Sequence, residues 1–154
     1  MSKIRTARLS REMKNLTEHP PWGIKCKPEK DVFDKLEVAL RGPEGSPYEK
    51  GTFKLIVTIP DHYPLEPPLV KFKTPVYHPN IDAGGRICMD MLKMPPKGTW
   101  LPTVTLETLF IALQVLLASA NPDDPLSIDV AQEYKFDNEV YYQNAMKYTQ
   151  KHAT

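Results

Sequence analysis

Apolar side chains follow a helical period near both ends of the chain and alternate with polar ones in the region between. Proline interrupts helices and is excluded from central strands, and this chain of 154 residues contains 16 prolines. Helices are therefore expected only in the long proline-free windows, which are residues 1–19, 103–121 and 126–154.

The first window is predicted to form an amphipathic helix. Leu9, Met13 and Leu16 fall at i, i+4 and i+7 and would form its buried stripe. The basic residues of the window lie along another stripe, at Arg5, Arg8 and Arg11. We therefore expect this helix to expose a basic face.

The second window, "TVTLETLFIALQVLLASAN", is apolar on nearly every side of a helix. Ile111, Ala112 and Val115 fill much of the face opposite to the main apolar stripe. A helix that is apolar all round is typical of a protein core, so this one is predicted to be central and buried.

The third window is predicted to form two helices. A short one is expected near 128–134, and a longer one begins with a cap at Asp137 or Asn138. The apolar residues of the longer helix recur at i, i+4 and i+7, at Tyr141, Ala145 and Tyr148.

Four short strands are predicted between the first two helical windows, at residues 23–27, 36–40, 53–59 and 69–73. In "FKLIVTI" apolar residues recur at every second position, Phe53, Leu55, Val57 and Ile59, which is typical of a half-buried strand. The strands have short links with no helical window between them, and this order favours an antiparallel meander. We expect an α+β fold in a single domain, residues 1–154, with the sheet packed on the central helix.

Composition and charge exclude several classes of function. Apolar residues make up 41% and charged residues 25%, which is typical of a globular protein. The net charge of +1 gives no overall field that would attract nucleic acid or a membrane surface. No apolar run approaches the length of a membrane span, and the first residues lack the apolar core of a secretory signal. We expect a monomer that binds neither nucleic acid nor membrane.

Cys88 lies in the one long irregular segment, residues 74–102, and such segments inside a compact domain are often functional. A cysteine in a loop has solvent access and free backbone N–H groups around it. Cys26, in an apolar strand, is instead expected to be a small core residue. Both thiols are expected to be reduced, and no cluster has the spacing of zinc ligands. Spacing alone does not decide whether Cys88 is a buried structural residue or a reactive one. A cysteine-protease pair with His62 or His78 as the base is possible, but no local motif supports it.

Five motifs, in order, resemble the ubiquitin-conjugating enzymes along the whole chain. They are "SPYEKGTFKLIVTIPDHYPLEPP" (46–68), "KFKTPVYHPNID" (71–82), "GRICMDML" (85–92), the Trp-x-Pro of Trp100 and Pro102, and "NPDDPL" (121–126). The resemblance implies the ubiquitin-conjugating fold: an N-terminal helix, a four-stranded antiparallel meander, an active-site loop, a central helix and two C-terminal helices. This agrees with the fold predicted from periodicity.

The resemblance implies that Cys88 accepts ubiquitin as a thioester from an activating enzyme and passes it to a substrate lysine with a RING-type ligase. Thioester chemistry needs cysteine, because a thiolate is both a good nucleophile and a good leaving group. ATP is used by the upstream activating enzyme, so no cofactor or metal is expected in this chain.

Other site residues are carried over from matching motif positions. Asn80 would donate to the oxyanion or support the active-site loop, and Tyr77 and Asp124 would flank the incoming lysine. The Asp124 carboxylate would orient the ammonium and accept its proton, although a turn residue is the alternative for an aspartate in "NPDDP". His78 and Pro79 would be structural residues of the loop.

The resemblance also implies a contact surface for the activating enzyme and the ligase. Its members would be Arg8, Arg11, Pro64, Leu65, Trp100, Leu101 and Pro102. For the two arginines, a solvated basic face is the alternative. Lys93 is a candidate for self-modification, because an amine so close to Cys88 has a high effective concentration.

Within the family, the "PPKG" insertion before Trp100 resembles the T-type conjugating enzyme, which works with the RING ligase of the Fanconi anaemia DNA-crosslink repair pathway. This resemblance implies monoubiquitination in DNA repair and a location in the nucleus and cytoplasm. Two residues depart from this resemblance. Leu65 stands where the family often has an aromatic residue, and Leu101 stands where the T-type has an arginine, so the identity of the ligase is left undecided.

Two other functions remain as alternatives. A catalytically inactive ubiquitin-binding adapter would lack the cysteine, and the presence of Cys88 and Asn80 argues against it. A carrier of another ubiquitin-like modifier is the second, although the chain lacks the acidic insertion of the SUMO-conjugating type.

Overall fold

The structure, a computed structural model, describes residues 2–30 and 32–154, apart from the side chains of residues 32 and 33. Its helices are α1 (Lys3–Glu18), α2 (Leu106–Ala118), α3 (Ile128–Phe136) and α4 (Asn138–His152). Its strands are β1 (Ile24–Lys30), β2 (Val32–Arg41), β3 (Thr52–Thr58) and β4 (Leu69–Phe72). A single 3-10 turn, Asp90–Leu92, interrupts the long irregular segment. The predicted order of helix, four strands, irregular segment and helices is confirmed.

The four strands form an antiparallel sheet in sequence order, β1-β2-β3-β4, as predicted. The alternation expected for β3 is present, with Phe53, Leu55 and Val57 buried on the inner face. β1 and β2 are longer than predicted, and the additional part of β1 contains Pro28. Proline is tolerated there because β1 is an edge strand and the register shifts next to Pro28.

α2 packs one stripe of side chains into the core and leaves its other side at the surface. Thr105 caps the helix by accepting a hydrogen bond from the Thr108 N–H. The buried stripe repeats at helical spacing: Leu106, Leu109, Phe110, Leu113 and Leu117. The prediction that α2 is buried all round is wrong, because Ile111 is 41% exposed and Val115 is 59% exposed. A sheet can cover only one face of a helix, so apolar residues on the opposite face remain exposed.

α1 has the apolar face that was predicted, but its basic face differs. The predicted stripe is buried: Leu9, Met13 and Leu16. Arg5 is also buried, so the expected exposed basic face is wrong at this position. Its guanidinium donates to the carbonyls of Ile59 and Pro60, both at 3.0 Å. It also pairs with Asp34 at 3.3 Å, and these partners make a buried charge tolerable.

The C-terminal window forms two helices, as predicted. Ser127 caps α3 by accepting from the Val130 N–H, and the helix extends two residues past its expected end. Asp137 is the N-cap residue of α4, one of the two residues predicted for that position. Across the described ranges, no helix combines the length and the apolar character needed to cross a bilayer.

Candidate active site

The loop that contains Cys88 folds back on itself and is fixed by short β-bridges. Ile81 is buried and pairs with both His78 and Ile87. The Cys88 N–H donates to the Asn80 carbonyl at 2.8 Å. The cysteine is therefore held by its own backbone to the residue eight positions earlier in the chain.

A tight turn between Asp82 and Arg86 forms the tip of this loop. The Asp82 carboxylate accepts from the Gly84 and Arg86 N–H groups at 3.0 and 2.8 Å. Gly85 has a φ of +84°, and a Cβ added to it would lie 2.0 Å from the Phe72 carbonyl oxygen. Only glycine satisfies both the dihedral angle and this close approach to β4.

The Cys88 thiol lies between a carboxylate and an ammonium group. It donates to Asp124 Oδ2 at 3.2 Å, and Lys93 Nζ lies 3.7 Å from its sulfur. Burial and the hydrogen bond to Asp124 raise the pKa of Cys88 above its ordinary value, while the Lys93 charge opposes that rise. The resting group is therefore a protonated thiol that is hydrogen-bonded to a carboxylate.

The Asn80 side chain holds the loop in which Asp124 lies. Asn80 is fully buried, and its amide nitrogen donates to the carbonyls of Asn121 and Asp124 at 2.7 and 3.0 Å. Its oxygen accepts from the Asn121 N–H at 2.8 Å. The neighbouring Pro79 carbonyl accepts from the Leu126 N–H at 2.8 Å. Both hydrogens of the Asn80 amide are used inside the protein, which favours the loop-supporting role over donation to an oxyanion.

His78 is buried, and both of its ring nitrogens have partners within the protein. Nδ1 accepts from the Asn80 N–H at 2.9 Å, which leaves the proton on Nε2 to donate to the Leu116 carbonyl at 2.7 Å. Burial lowers the pKa of His78 to about 4, so the ring is neutral at pH 7. These contacts support a structural role and leave no ring nitrogen for general-base work.

Tyr77 is directed toward the C-terminal helices. Its hydroxyl donates to Glu133 Oε1 at 2.7 Å, and Asn144 donates to the same oxygen at 3.0 Å. Its ring packs against Tyr141 and Tyr148, with centroids 6.0 and 5.9 Å away. Burial and the hydrogen bond to Glu133 raise the pKa of Tyr77 to about 12. The sequence contains no signal for Glu133 or Asn144, because single polar residues on a helix resemble ordinary surface positions.

The two aspartates of "NPDDPL" have different partners. Asp124 contacts the thiol, whereas Asp123 forms an ion pair with Lys135 on α3 at 2.7 Å. Of the two residues expected to flank the incoming lysine, Asp124 lies at Cys88, while the Tyr77 hydroxyl is bound to α3.

The insertion before Trp100 closes tightly on Lys93. The Lys93 carbonyl accepts from the Trp100 N–H at 3.0 Å, and the Asp90 carbonyl accepts from the Thr99 N–H at 2.9 Å. A Cβ on Gly98 would lie 2.3 Å from both the Cβ and the carbonyl oxygen of Lys93. The backbone of the lysine beside the thiol is therefore braced by the inserted loop.

The predicted contact surface lies where α1 meets two loops, but some of its members are buried. Trp100 Nε1 donates to the Pro64 carbonyl at 3.0 Å, and both side chains are buried. These side chains join the two loops and are not exposed, and their contact with a partner stays a prediction. Arg8 is half-buried and donates to the carbonyls of Pro102 and Val104 at 2.6 and 2.7 Å. Arg8 was expected on an exposed basic face, and this expectation is wrong because its guanidinium is bound to the loop.

Arg8 belongs to a buried network with Glu12. Its Nε donates to Glu12 Oε2 at 3.1 Å. Glu12 also accepts from the Tyr63 hydroxyl and from the Leu106 N–H, both at 2.6 Å, and so satisfies a donor in the first turn of α2. Sequence reasoning missed Glu12 because a glutamate among basic helix residues resembles a surface ion pair. The predicted contact residues that remain exposed are Arg11, Leu65, Leu101 and Pro102.

Cys26 packs against the core from β1, in agreement with its prediction. Its thiol donates to Met13 Sδ at 3.9 Å. Burial raises the pKa of Cys26 to about 12, so this thiol is a poor nucleophile. Both cysteines of the chain are free.

The arrangement at Cys88 can receive an acyl group on sulfur and pass it to an incoming amine. It supplies a nucleophilic sulfur, an acceptor for the proton of that sulfur and a nearby positive charge. Within the part of the chain that the structure describes, no group of three or more His, Cys, Asp and Glu side chains could hold a metal ion.

Comparison with known proteins gives a consistent result. A family model described as "Ubiquitin-conjugating enzyme" matches residues 8–149. The chain is 50% identical over 149 residues to the ubiquitin-conjugating enzyme E2 T of Bos taurus and 48% identical to that of Homo sapiens. Each alignment covers 97% of this chain and 76% of the relative. The chain is also 39% identical to the ubiquitin-conjugating enzyme E2 N of Macaca fascicularis, over 95% of this chain and 93% of the relative.

Proposed function

The chain belongs to the ubiquitin-conjugating enzyme family, and we propose that Cys88 is the residue on which it accepts ubiquitin. As a member of that family, it is an enzyme that works with ubiquitin, an activating enzyme and a ligase. The observation that supports Cys88 is its position: a half-buried thiol 3.2 Å from the Asp124 carboxylate. The other thiol, Cys26, is packed on the core and has a pKa raised to about 12.

In the loading step, the Cys88 sulfur attacks the carbonyl carbon of the thioester between ubiquitin and the activating enzyme. A new carbon–sulfur bond forms, the bond to the activating enzyme's sulfur breaks, and the released thiolate takes up a proton. The Cys88 proton leaves toward Asp124, with which it already shares a hydrogen bond, and passes on through solvent to the released thiolate, so that Asp124 is a carboxylate again before the transfer step. Lys93 stabilises the thiolate as this proton leaves. ATP is consumed upstream, so this chain needs no cofactor of its own.

In the transfer step, the amine of a substrate lysine attacks the thioester carbonyl. An isopeptide bond forms, and the Cys88 thiolate leaves. Once Cys88 is acylated it has no S–H to donate, so the Asp124 carboxylate becomes available to orient the incoming ammonium and accept its proton. Asn80 acts as a positioning residue, because it binds the backbone carbonyl of Asp124 at 3.0 Å.

Discharge of preloaded ubiquitin to free lysine tests the role of Asp124. Asp124→Asn should slow single-turnover discharge by about 100-fold or more, as expected for loss of a general base. Asp123→Asn is the matched control, because Asp123 lies in the same loop but pairs with Lys135. Equal discharge rates for the two variants would remove Asp124 from the mechanism.

We also propose that the ligase partner is the RING ligase of the Fanconi anaemia pathway, with monoubiquitination in DNA-crosslink repair as the outcome. The support is the likeness to the E2 T relatives and the inserted loop that closes on Lys93. Leu65 and Leu101 are 64% and 56% exposed and would contact this ligase.

Ligase-stimulated discharge tests this partner. Leu65→Ala and Leu101→Ala should each lower the stimulation by about tenfold and leave unstimulated discharge unchanged. Leu69→Ala is the control, because Leu69 on β4 is 68% exposed. If the wild type shows no stimulation, this ligase is the wrong partner, and carriage of ubiquitin on Cys88 is unaffected.

Loading with several modifiers separates the remaining alternatives. The chain is mixed with ubiquitin or another ubiquitin-like modifier, each with its own activating enzyme. Loading with ubiquitin supports the proposal, loading with only another modifier makes the chain a carrier of that modifier, and loading with none favours a binding adapter. We further propose a monomer present in nucleus and cytoplasm, which sedimentation and imaging of the tagged chain would test.

A further inference from the structure

Two hydrogen bonds tie α3 to the active-site loop, one at its first turn and one near its middle. At its start, the Ser127 N–H donates to the Pro79 carbonyl at 3.3 Å. About two turns further along the helix, Glu133 Oε1 accepts from the Tyr77 hydroxyl at 2.7 Å. Tyr77 and Pro79 are two residues apart in the chain, so both contacts fix the helix to the same short stretch of the loop.

Tyr77 is itself held firmly, so that it can serve as an anchor. Its carbonyl accepts from the hydroxyl of Tyr48, which is fully buried. Its ring packs against Tyr141 and Tyr148 on α4, with centroids 6.0 and 5.9 Å away. Tyr77 is therefore a fixed partner for the carboxylate of Glu133.

Glu133 is also bound from α4, which makes it a bridge between three parts of the structure. The same Oε1 that binds Tyr77 accepts from Asn144 Nδ2 at 3.0 Å. Hydrogen bonds to a carboxylate are stronger than those between neutral groups. One half-buried side chain thus fixes α3 relative to both the active-site loop and α4.

The start of α3 is only three residues from the carboxylate at the thiol. Asp124 is followed by Pro125, Leu126 and the cap residue Ser127. A proline fixes its own φ and restricts the backbone of the residue before it, so this connection is stiff. A shift of α3 would therefore move Asp124 relative to Cys88.

We propose that Glu133 is a positioning residue, which holds the Asp124 carboxylate at the Cys88 thiol by locking α3 to Tyr77. The proposal rests on the role of Asp124 in the proposed function and adds a residue that acts through it. Glu133 works here as a hydrogen-bond acceptor and not as a charge. A glutamine in its place keeps an oxygen that can accept from Tyr77.

Alkylation of Cys88 by iodoacetamide reports the position of Asp124 without any ubiquitin. Burial and the hydrogen bond to Asp124 raise the pKa of Cys88, so displacement of the carboxylate lowers this pKa and speeds alkylation near neutral pH. In a Cys26→Ser background, Glu133→Ala should shift the rate–pH profile toward lower pH, in the same direction as Asp124→Asn. An unchanged profile would overturn the proposal.

Tyr77→Phe breaks the same hydrogen bond from its other side and should shift the profile in the same direction. This variant leaves Asn144 to bind Glu133, so it carries the test if Glu133→Ala does not fold. A folded Tyr77→Phe with the wild-type profile would overturn the proposal.

Two matched variants separate hydrogen bonding from charge and from helix stability. Glu133→Gln retains an acceptor for the Tyr77 hydroxyl, and its profile should overlay that of the wild type. Gln132→Ala removes the neighbouring exposed side chain from the same helix and should also leave the profile unchanged. If either variant shifts the profile as far as Glu133→Ala does, the hydrogen bond is not the cause and the proposal is overturned.

Single-turnover discharge of preloaded ubiquitin to free lysine measures the consequence for transfer. Glu133→Ala should slow discharge about fivefold or more. In an Asp124→Asn background the same substitution should slow it by less than about twofold, because the group that Glu133 positions is absent. Equal slowing in both backgrounds would show general loosening of the protein and would overturn the proposal. If the wild type carries no ubiquitin while the alkylation profiles shift as expected, the proposed function fails and the positioning of Asp124 stands.

Discussion

The Cys88 thiol and the Asp124 carboxylate, 36 residues apart in the chain, meet at 3.2 Å. The contact forms because Asn80, which precedes Cys88 in the same loop, binds the backbone of the Asp124 loop through its side chain. The nucleophile and the acceptor of its proton are thus tied to one hydrogen-bonded frame. The reactivity of the Cys88 thiol should therefore depend on Asp124 and Lys93, the two charged residues that face it, and on the residues that hold them in place.

Substitution of the two charged groups beside the thiol should change its reactivity in opposite directions. Asp124→Asn removes a carboxylate that raises the pKa of Cys88, so more thiolate exists near neutral pH and alkylation by iodoacetamide should be faster. Lys93→Gln removes the opposing charge and should slow alkylation. The rates are measured against pH in a Cys26→Ser background, so that Cys88 is the only thiol. Profiles that shift in the same direction would contradict the assigned contacts.

Asn80→Ser should slow lysine discharge by loosening the Asp124 loop. The change removes three hydrogen bonds to the backbone of Asn121 and Asp124, and we expect discharge to fall by about tenfold or more. Hydrogen exchange at the Asn121 amide should become faster at the same time. Slow discharge with unchanged exchange would instead identify Asn80 as a donor to the oxyanion.

Gly85→Ala should destabilise the active-site loop, whereas Gly84→Ala should be tolerated. Gly85 has a left-handed φ of +84°, and a Cβ added to it would lie 2.0 Å from the Phe72 carbonyl oxygen. The atom nearest to a Cβ added at Gly84 is Asp82 Oδ1, at 3.5 Å. In urea denaturation we expect a loss of about 2 kcal/mol or more for the first variant and less than about 0.5 kcal/mol for the second. Similar losses for the two variants would argue against this close approach to β4.

Arg8→Ala should unfold at lower denaturant concentration than the wild type, and Arg11→Ala should not. The Arg8 guanidinium bonds Glu12 and two loop carbonyls, and its removal leaves the buried Glu12 carboxylate without its cationic partner. We expect a loss of about 2–4 kcal/mol for Arg8→Ala, and a change within about 0.5 kcal/mol for the exposed Arg11. If Arg8 is only part of a solvated basic face, its substitution will be as mild as that of Arg11.

Periodicity and proline positions were sufficient for the order and type of the elements, because both depend on local sequence. They could not show which face of an apolar helix packs, and so Ile111 and Val115 were wrongly placed in the core. β1 extends past its predicted end because an edge strand tolerates Pro28.

The polar networks were beyond local reasoning, because their partners are far apart in the chain. Arg5 reaches Pro60, 55 residues away, and Glu12 reaches Leu106, 94 residues away. An arginine on a helix resembles a surface residue until the chain folds around it. Motif resemblance nominated Cys88 and Asp124, and only the folded structure shows that their side chains touch.

The most direct test of Cys88 as the acceptor is a thioester assay with the wild type, Cys88→Ser and Cys26→Ser. Each protein is mixed with ubiquitin, its activating enzyme and ATP, and is then run on gels with and without reductant. We predict an adduct that reductant removes in the wild type and in Cys26→Ser. Cys88→Ser should form no such adduct, and any oxygen ester on the new serine should resist reductant. A reductant-sensitive adduct in Cys88→Ser, or no adduct in the wild type, would contradict the assignment.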